Sequence, residues 1–100
     1  PDIYCKEGNM SILIEVTMLS STQQNVRETP PVTAHLKKEM DKNNNSFTLF
    51  IAPIIHEQTT IFMNLTCLSY NISIITNTIK DFVLKIQNIE HLSQIKKIKK

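Results

Sequence analysis

The chain contains a single glycine, Gly8, which stands beside Asn9 between two short runs of β-forming residues, 2–6 and 11–17. A Gly-Asn pair between such runs is typical of the two-residue turn of a β-hairpin. If these two residues form the turn, opposed residues have numbers that sum to seventeen, and Asp2 faces Glu15. The glycine therefore predicts both the first two strands and their register.

The two faces of this hairpin differ in chemistry, because successive side chains of a strand point to opposite sides. One face is almost entirely apolar and is expected to pack on a helix; it carries Ile3, Cys5, Met10, Ile12, Ile14 and Val16. The other face carries the two acids and is made of Asp2, Tyr4, Lys6, Ser11, Leu13, Glu15 and Thr17.

The rest of the chain alternates helical and extended patterns. A polar loop is expected at 20–29, and Pro30-Pro31 can start a helix of about 31–42 because proline suits a first turn. The apolar run 47–53 predicts a central strand covered on both faces. A helix follows over 57–70, with Ile61, Phe62, Leu65 and Leu68 near the helical period, then a strand at 72–76 and a helix at 78–90. This predicts one α/β domain, 1–100, in the order β-β-α-β-α-β-α.

Composition excludes several classes of protein. The net charge of +2 indicates no polyanion by itself, and no apolar run is long enough to span a bilayer, so we expect no membrane and a cytoplasmic location. Cys5 and Cys67 are expected to be buried free thiols, with no zinc cluster. We expect the polar patch 41–46 to be a solvated loop. The lysines that end the chain in "KKIKK" either add unspecific phosphate contacts or end a solvated helix.

Two carboxylates opposed in a hairpin raise a question of charge. Like charges with Cβ atoms about 4.5–5.5 Å apart are destabilising unless a cation lies between them. Hard oxygen ligands without thiolates favour Mg²⁺ or Mn²⁺ over zinc. From geometry alone the alternative stays open that a bulge shifts the register, or that Asp2 and Glu15 are surface charges at a solvated edge.

The order of motifs gives a specific resemblance. Pro1-Asp2, followed by Glu15-Val16-Thr17, is similar to the PD-(D/E)-x-K motif of restriction-enzyme-like nucleases, with Thr17 in the place of the motif lysine. The longer strings "ILIEVTMLSSTQQNVRETPPVTAHL" and "FTLFIAPIIHEQTT" resemble the cleavage domain of type IIS restriction and nicking endonucleases of the AlwI kind. The resemblance covers about residues 1–63, and it implies a mixed sheet with flanking helices.

The resemblance also implies a set of site residues. It makes Asp2 and Glu15 ligands of Mg²⁺, with Mn²⁺ as a second choice, and the backbone carbonyl of Val16 a third oxygen. It marks Glu28, expected in the loop, and His35, expected about one turn inside the first helix, as further catalytic residues. An imidazole can accept a proton near neutral pH, so His35 is the candidate to replace the missing lysine. The alternative is an ordinary histidine on a helix surface, which is also how His56 and His91 are interpreted.

The implied activity is that of a type II site-specific deoxyribonuclease from a bacterial restriction-modification system, acting on double-stranded DNA. The family also uses an acid on a helix upstream of the motif and a domain that reads the DNA site. We therefore expect a fragment that works with a DNA-recognition domain or a larger subunit. Gln23, Gln24, Asn25 and Arg27 either touch the DNA backbone or only connect elements. The rival hypothesis is a non-catalytic α/β binding or structural module with a degenerate or incomplete nuclease site.

Overall fold

The computed structural model of the chain describes residues 1–87. It contains four strands and three helices in the predicted order, β-β-α-β-α-β-α. The elements are β1 (Ile3–Glu7), β2 (Met10–Val16), α1 (Gln23–Lys42), β3 (Ser46–Ala52), α2 (Glu57–Tyr70), β4 (Ile74–Thr78) and α3 (Ile79–Ile86). The predicted α/β class is confirmed. His91, the terminal lysines and the last part of the helix predicted at 78–90 lie outside the described residues.

The sheet is mixed, with the strand order β1-β2-β3-β4. β1 pairs with β2 in an antiparallel ladder, whereas β2, β3 and β4 run parallel. The ladder runs from Glu7↔Met10 to Ile3↔Ile14, which is the register predicted from the glycine turn. Gly8 has a φ of 60°, the left-handed conformation that glycine adopts without steric cost.

Helices cover both faces of this sheet. On the predicted apolar face of the hairpin, Cys5, Met10, Ile12 and Ile14 pack with residues of β3 and with Ile79 and Phe82 of α3, whereas Ile3 and Val16 at its end are exposed. The opposite face packs against α1 and α2 through Val32, Leu36, Phe50, Ala52, Met63 and Ile74. β3 is buried at every position, which confirms the prediction of a central strand covered on both sides. Cys5 and Cys67 are free thiols as predicted, although both are only partly buried.

Helix α1 starts eight residues earlier than the sequence predicted. It runs from Gln23, so Pro30 and Pro31 lie inside the helix rather than at its first turn, and residues 23–29 are not a loop. A proline inside a helix removes a backbone hydrogen bond and costs about 3 kcal/mol. Tertiary packing offsets this cost, because Gln24, Thr29, Val32, Thr33 and Leu36 of the same helix are all buried.

Two other regions differ from expectation. Helix α2 forms as predicted, but its apolar stripe points outward: Leu68 is 82% exposed, and only Thr59 and Met63 of this helix are buried. Strand β4 begins at Ile74 rather than at residue 72, because Asn71 ends α2 in the left-handed conformation. The patch 41–46 is not simply solvated, since the Asn43 amide donates to Asn9 O and to Ser11 Oγ and ties the hairpin to α1.

Candidate active site

Glu15 is a buried acid near the end of β2. It is 7% exposed and lies on the sheet face that α1 covers. His35 Nδ1 lies 2.8 Å from Glu15 Oε2, which is a hydrogen bond, and the histidine side chain remains 45% exposed. The nitrogen of Pro1 is 3.9 Å from the same oxygen. Two residues twenty positions apart in the chain therefore meet near the C-terminal end of β2; the Glu15 side chain is shielded from water and the His35 side chain is partly open to it.

The position of His35 follows from how α1 packs. Val32 and Leu36 of the same helix are 3% and 0% exposed and place this side of the helix against the sheet. His35 lies at the flank of that buried stripe, next to β2. It is about three turns inside the helix, since the helix begins at Gln23, rather than the one turn expected from a start at Pro31. The earlier start of α1 does not change the number of residues between His35 and the buried Val32 and Leu36.

Asp2 does not face Glu15 across the ladder as the register predicted. The ladder ends at Ile3↔Ile14, and beyond it the Asp2 carboxylate accepts a hydrogen bond of 2.7 Å from the Val16 N–H. The Asp2 N–H donates to Ile14 O at 3.1 Å. Asp2 is exposed, so the solvated-edge alternative holds for it and not for Glu15, and the pairing is regular from Ile3 to Glu7 but departs from that register at Asp2. The two acids still share one corner of the sheet through Val16.

Glu28 and Thr17 have surroundings that differ from those expected. Glu28 lies on α1, not in a loop, and is about 10 Å along the helix axis from His35 on the same side, because seven residues make about two turns. Thr17 is buried and its hydroxyl accepts a hydrogen bond of 3.1 Å from the Leu19 N–H. The threonine in the place of the motif lysine therefore bonds to the backbone of the segment that follows β2.

Gln24 is structural and does not face a ligand. It is fully buried; its amide group donates to Leu19 O at 2.6 Å and to Ile54 O at 2.7 Å, and its side-chain oxygen accepts from the His56 N–H at 2.8 Å. The predicted loop is wrong for this residue, which lies in α1, and of the two alternatives left open its full burial does not fit contact with DNA. Ser21 and Thr22 are residue types favoured just before a helix and could have indicated the early start. The N-cap Thr22 makes no side-chain capping bond, and Ser21 Oγ accepts from the Gln23 N–H instead.

Sequence reasoning also missed a contact on the acid-bearing face. The Tyr4 hydroxyl donates to Glu39 Oε2 at 2.8 Å and lies 3.1 Å from Ser11 Oγ. Glu39 is one turn beyond His35 on α1. Tyr4 therefore links the edge strand β1 to the helix that carries His35.

Metal ligation can be tested against the side chains present. Within residues 1–87, no three His, Cys, Asp or Glu side chains are grouped so that they could hold a metal ion. Magnesium does not require such a group, because it keeps several waters and is usually bound through one or two carboxylates plus substrate phosphates. Asp2 and Glu15 each have one carboxylate oxygen outside the hydrogen bonds described above, and Val16 follows Glu15 in the chain and donates its N–H to Asp2. The donor set fits an open oxygen-ligand site completed by water or substrate.

Comparison with known families assigns the chain. The model that describes the AlwI restriction endonuclease matches residues 1–86. The chain belongs to the AlwI restriction endonuclease family. The match confirms the resemblance found in the sequence and extends it from residue 63 to the end of α3. Comparison with curated proteins gave no match. As a member of the AlwI family, the chain is a restriction endonuclease domain, a nuclease that acts on DNA. In the described part of this AlwI-family chain, no helix has the length and apolar character needed to cross a membrane.

Proposed function

We propose that this chain is the catalytic domain of a type IIS restriction or nicking endonuclease that requires Mg²⁺, or Mn²⁺ in its place. It hydrolyses phosphodiester bonds of double-stranded DNA in the bacterial cytoplasm, together with a DNA-recognition domain or a larger subunit. The observation that carries the proposal is the buried Glu15, hydrogen-bonded to His35 beside the Asp2 carboxylate, in a chain of the AlwI family. The free thiols of Cys5 and Cys67 agree with a reducing compartment.

Asp2 and Glu15, with the Val16 carbonyl, are the proposed metal ligands. A bound divalent ion would neutralise charge on the phosphate, activate the attacking water and stabilise the leaving oxygen. Burial of Glu15 and its hydrogen bond to His35 hold one ligand in a single orientation. The Val16 N–H does the same for Asp2. The protein thus keeps both carboxylates in place before substrate arrives, which lowers the cost of ordering them on binding.

His35 is proposed to take the part of the absent lysine. Its Nδ1 is engaged with Glu15, so Nε2 is the ring nitrogen left to accept a proton from the attacking water. The exposed half of the ring gives water and phosphate access to that nitrogen. Glu28 is proposed as a third acid of the site, reached by DNA that lies along α1, because it is on the same side of the helix as His35.

Metal binding can be tested on this chain without DNA. In thermal unfolding, Mg²⁺ or Mn²⁺ at about one hundred times its dissociation constant should stabilise the native state by about 2.7 kcal/mol. Asp2→Asn and Glu15→Gln should abolish most of this gain. Glu7→Gln is the matched control, since it removes an exposed acid from the other end of the same hairpin and should retain the gain. If Glu15→Gln and Glu7→Gln respond alike to the metal, Asp2 and Glu15 are not the site.

Catalysis is tested in the assembled enzyme. His35→Ala should slow single-turnover cleavage by about a hundredfold or more, in the range attributed to a positioned acid or base. Affinity for DNA, measured with Ca²⁺ to prevent cleavage, should change little, because phosphate contacts do not depend on this imidazole. Near-normal cleavage by the variant would return His35 to the role of a surface histidine and leave Glu28, or an acid from another segment, to complete the site.

A second candidate function is a non-catalytic module with a degenerate nuclease site. The observation that favours it is Thr17, which cannot supply the positive charge of the motif lysine and whose hydroxyl is engaged with the Leu19 N–H. This hypothesis expects DNA binding without cleavage under any divalent ion. Cleavage by the assembled enzyme that is lost in Glu15→Gln would reject it.

A further inference from the structure

A cavity of about 380 Å³ lies between α1 and α2, away from the site described above. Its walls include Pro30, Thr33 and Lys37 of α1, and Thr66 and Tyr70 of α2. Thr33 and Lys37 are two residues before and after His35, so each projects about 160° around the helix axis from it. The cavity is therefore on the opposite flank of α1, and the Glu15–His35 pair does not account for it.

Thr33 is the polar residue in this wall whose chemistry is unexplained. It is 9% exposed, and its hydroxyl is buried without a hydrogen-bond partner among the described residues. A buried hydroxyl left unpaired destabilises a fold by about 1–3 kcal/mol. A helical threonine populates two χ1 rotamers, and rotation between staggered wells moves the hydroxyl relative to the methyl group. A ligand in the cavity can thus be met by the Thr33 hydroxyl without any change of backbone.

Lys37 supplies a positive charge at the same cavity. Its ammonium lies 3.9 Å from the centroid of the Tyr70 ring, and the aromatic face attracts it and limits its motion. A cation held in this way loses little conformational entropy when it binds an anion. Thr66 adds a second hydroxyl on the opposite wall, so an anionic oxygen group meets donors from both helices.

The volume and the apolar walls indicate a ligand larger than a simple ion. Small-molecule sites are commonly about 300–1,000 Å³ and largely apolar, with a few polar groups that fix orientation. Pro30, Ala34 and the Tyr70 ring give such walls. We propose that this cavity binds a phosphate ester of nucleoside monophosphate size, with its phosphate on Lys37 and the Thr33 hydroxyl and its organic part against Pro30 and Tyr70. The proposal does not rest on the nuclease function, since it uses other residues and its test needs no cleavage.

Isothermal titration calorimetry of the whole chain with 2′-deoxyadenosine 5′-monophosphate tests the proposal. Saturable binding is expected, and deoxyadenosine without the phosphate should bind at least about tenfold more weakly, the loss of a hydrogen bond to a charged group. Thr33→Val and Lys37→Met should each weaken binding of the monophosphate at least about tenfold. Thr33→Ser, which keeps a hydroxyl, should rescue most of the affinity.

Lys38→Met is the matched control, because it removes the same charge from the neighbouring residue, which is not part of this cavity wall. It should leave the affinity within about twofold, since exposed charges outside a site are strongly screened. Thr33→Val keeps the shape of the side chain and removes an unpaired hydroxyl, so it should unfold at the same temperature as the wild type or above it. Absence of saturable binding by the wild type, or equal losses in Lys37→Met and Lys38→Met, would overturn the proposal.

A duplex oligonucleotide distinguishes two sources of the phosphate. If Thr33→Val weakens binding of the duplex as well as of the monophosphate, the cavity takes a phosphate of the DNA backbone. If only binding of the monophosphate is weakened, the ligand is a free nucleotide. Both results support the phosphate site, and a Thr33→Val variant that binds the monophosphate as the wild type does contradicts it.

Discussion

Replacing Gln24 by leucine should destabilise the whole fold, although the residue is polar and the change adds apolar surface to the interior. The side chain is fully buried and makes three hydrogen bonds, all to backbone groups: Leu19 O, Ile54 O and His56 N. Leucine has a similar size and no polar atoms, so Gln24→Leu leaves these three backbone groups without their partner. The first turn of α1 would then lose its attachment to the segments that follow β2 and β3.

The size of the effect follows from the number of bonds. Each hydrogen bond contributes about 1 kcal/mol net, which gives a loss of about 3 kcal/mol for the three. Water can reach part of the segment around Ile54, which is 59% exposed, so the loss should not greatly exceed that sum. Domains of this size are commonly stable by about 5–15 kcal/mol, and the variant should therefore unfold at clearly lower urea concentration.

The assay is urea unfolding followed by far-ultraviolet circular dichroism, since the chain has no tryptophan. Gln23→Leu is the matched control, because Gln23 is the exposed neighbour of Gln24 at the start of the same helix. It should change the free energy of unfolding by no more than about 0.5 kcal/mol. The reasoning is refuted if the two variants have the same midpoint, or if Gln24→Leu is within about 0.5 kcal/mol of the wild type with an unchanged urea dependence.

Three other predictions concern the packing of α2 and the thiol it carries. Met63→Ala should cost about 2–5 kcal/mol in the same urea assay, because Met63 is fully buried and the truncation leaves a cavity. Leu68→Ser should change stability by less than about 0.5 kcal/mol, since Leu68 is 82% exposed, and a larger loss would mean that the outward stripe is packed in solution. Burial raises the pKa of the Cys67 thiol above its ordinary value of 9.0, and a hydrogen bond with the backbone of Ile74 lowers it by a smaller amount. The neutral thiol therefore makes its full contribution to stability below pH 9.0, and this contribution is lost as the pH rises through the pKa of the folded state. Unfolding measured on both sides of that pH should show a smaller alkaline loss in Cys67→Ala than in the wild type.

The sequence by itself determined the features that depend on neighbours in the chain. Gly8-Asn9 predicts the turn, and the length of the turn predicts which residues pair in the hairpin. The resulting register places Glu15 and Tyr4 on one face. The apolar run of β3 gave a strand covered on both sides. The order of strands and helices followed from the hydrophobic period. The long strings from Ile12 to Leu36 and from Phe47 to Thr60, rather than the short motif around Asp2 and Glu15, indicated the AlwI family before any contact was known.

Only the tertiary structure decided what depends on distant residues. The start of α1 at Gln23 was obscured by Pro30 and Pro31, and local rules place such residues at a first turn. The helix extends past them because Gln24 finds partners at Leu19, Ile54 and His56, two of them about thirty positions away. The hydrogen bond between His35 and Glu15 has the same origin: the packing of α1 on the sheet brings together an acid and an imidazole that no local period relates. Helix propensities differ by about 1 kcal/mol per residue, or about 3 kcal/mol for a proline, whereas burying one large apolar side chain gains about 1.5–3 kcal/mol, so a helix face with several buried residues can outweigh the local preference.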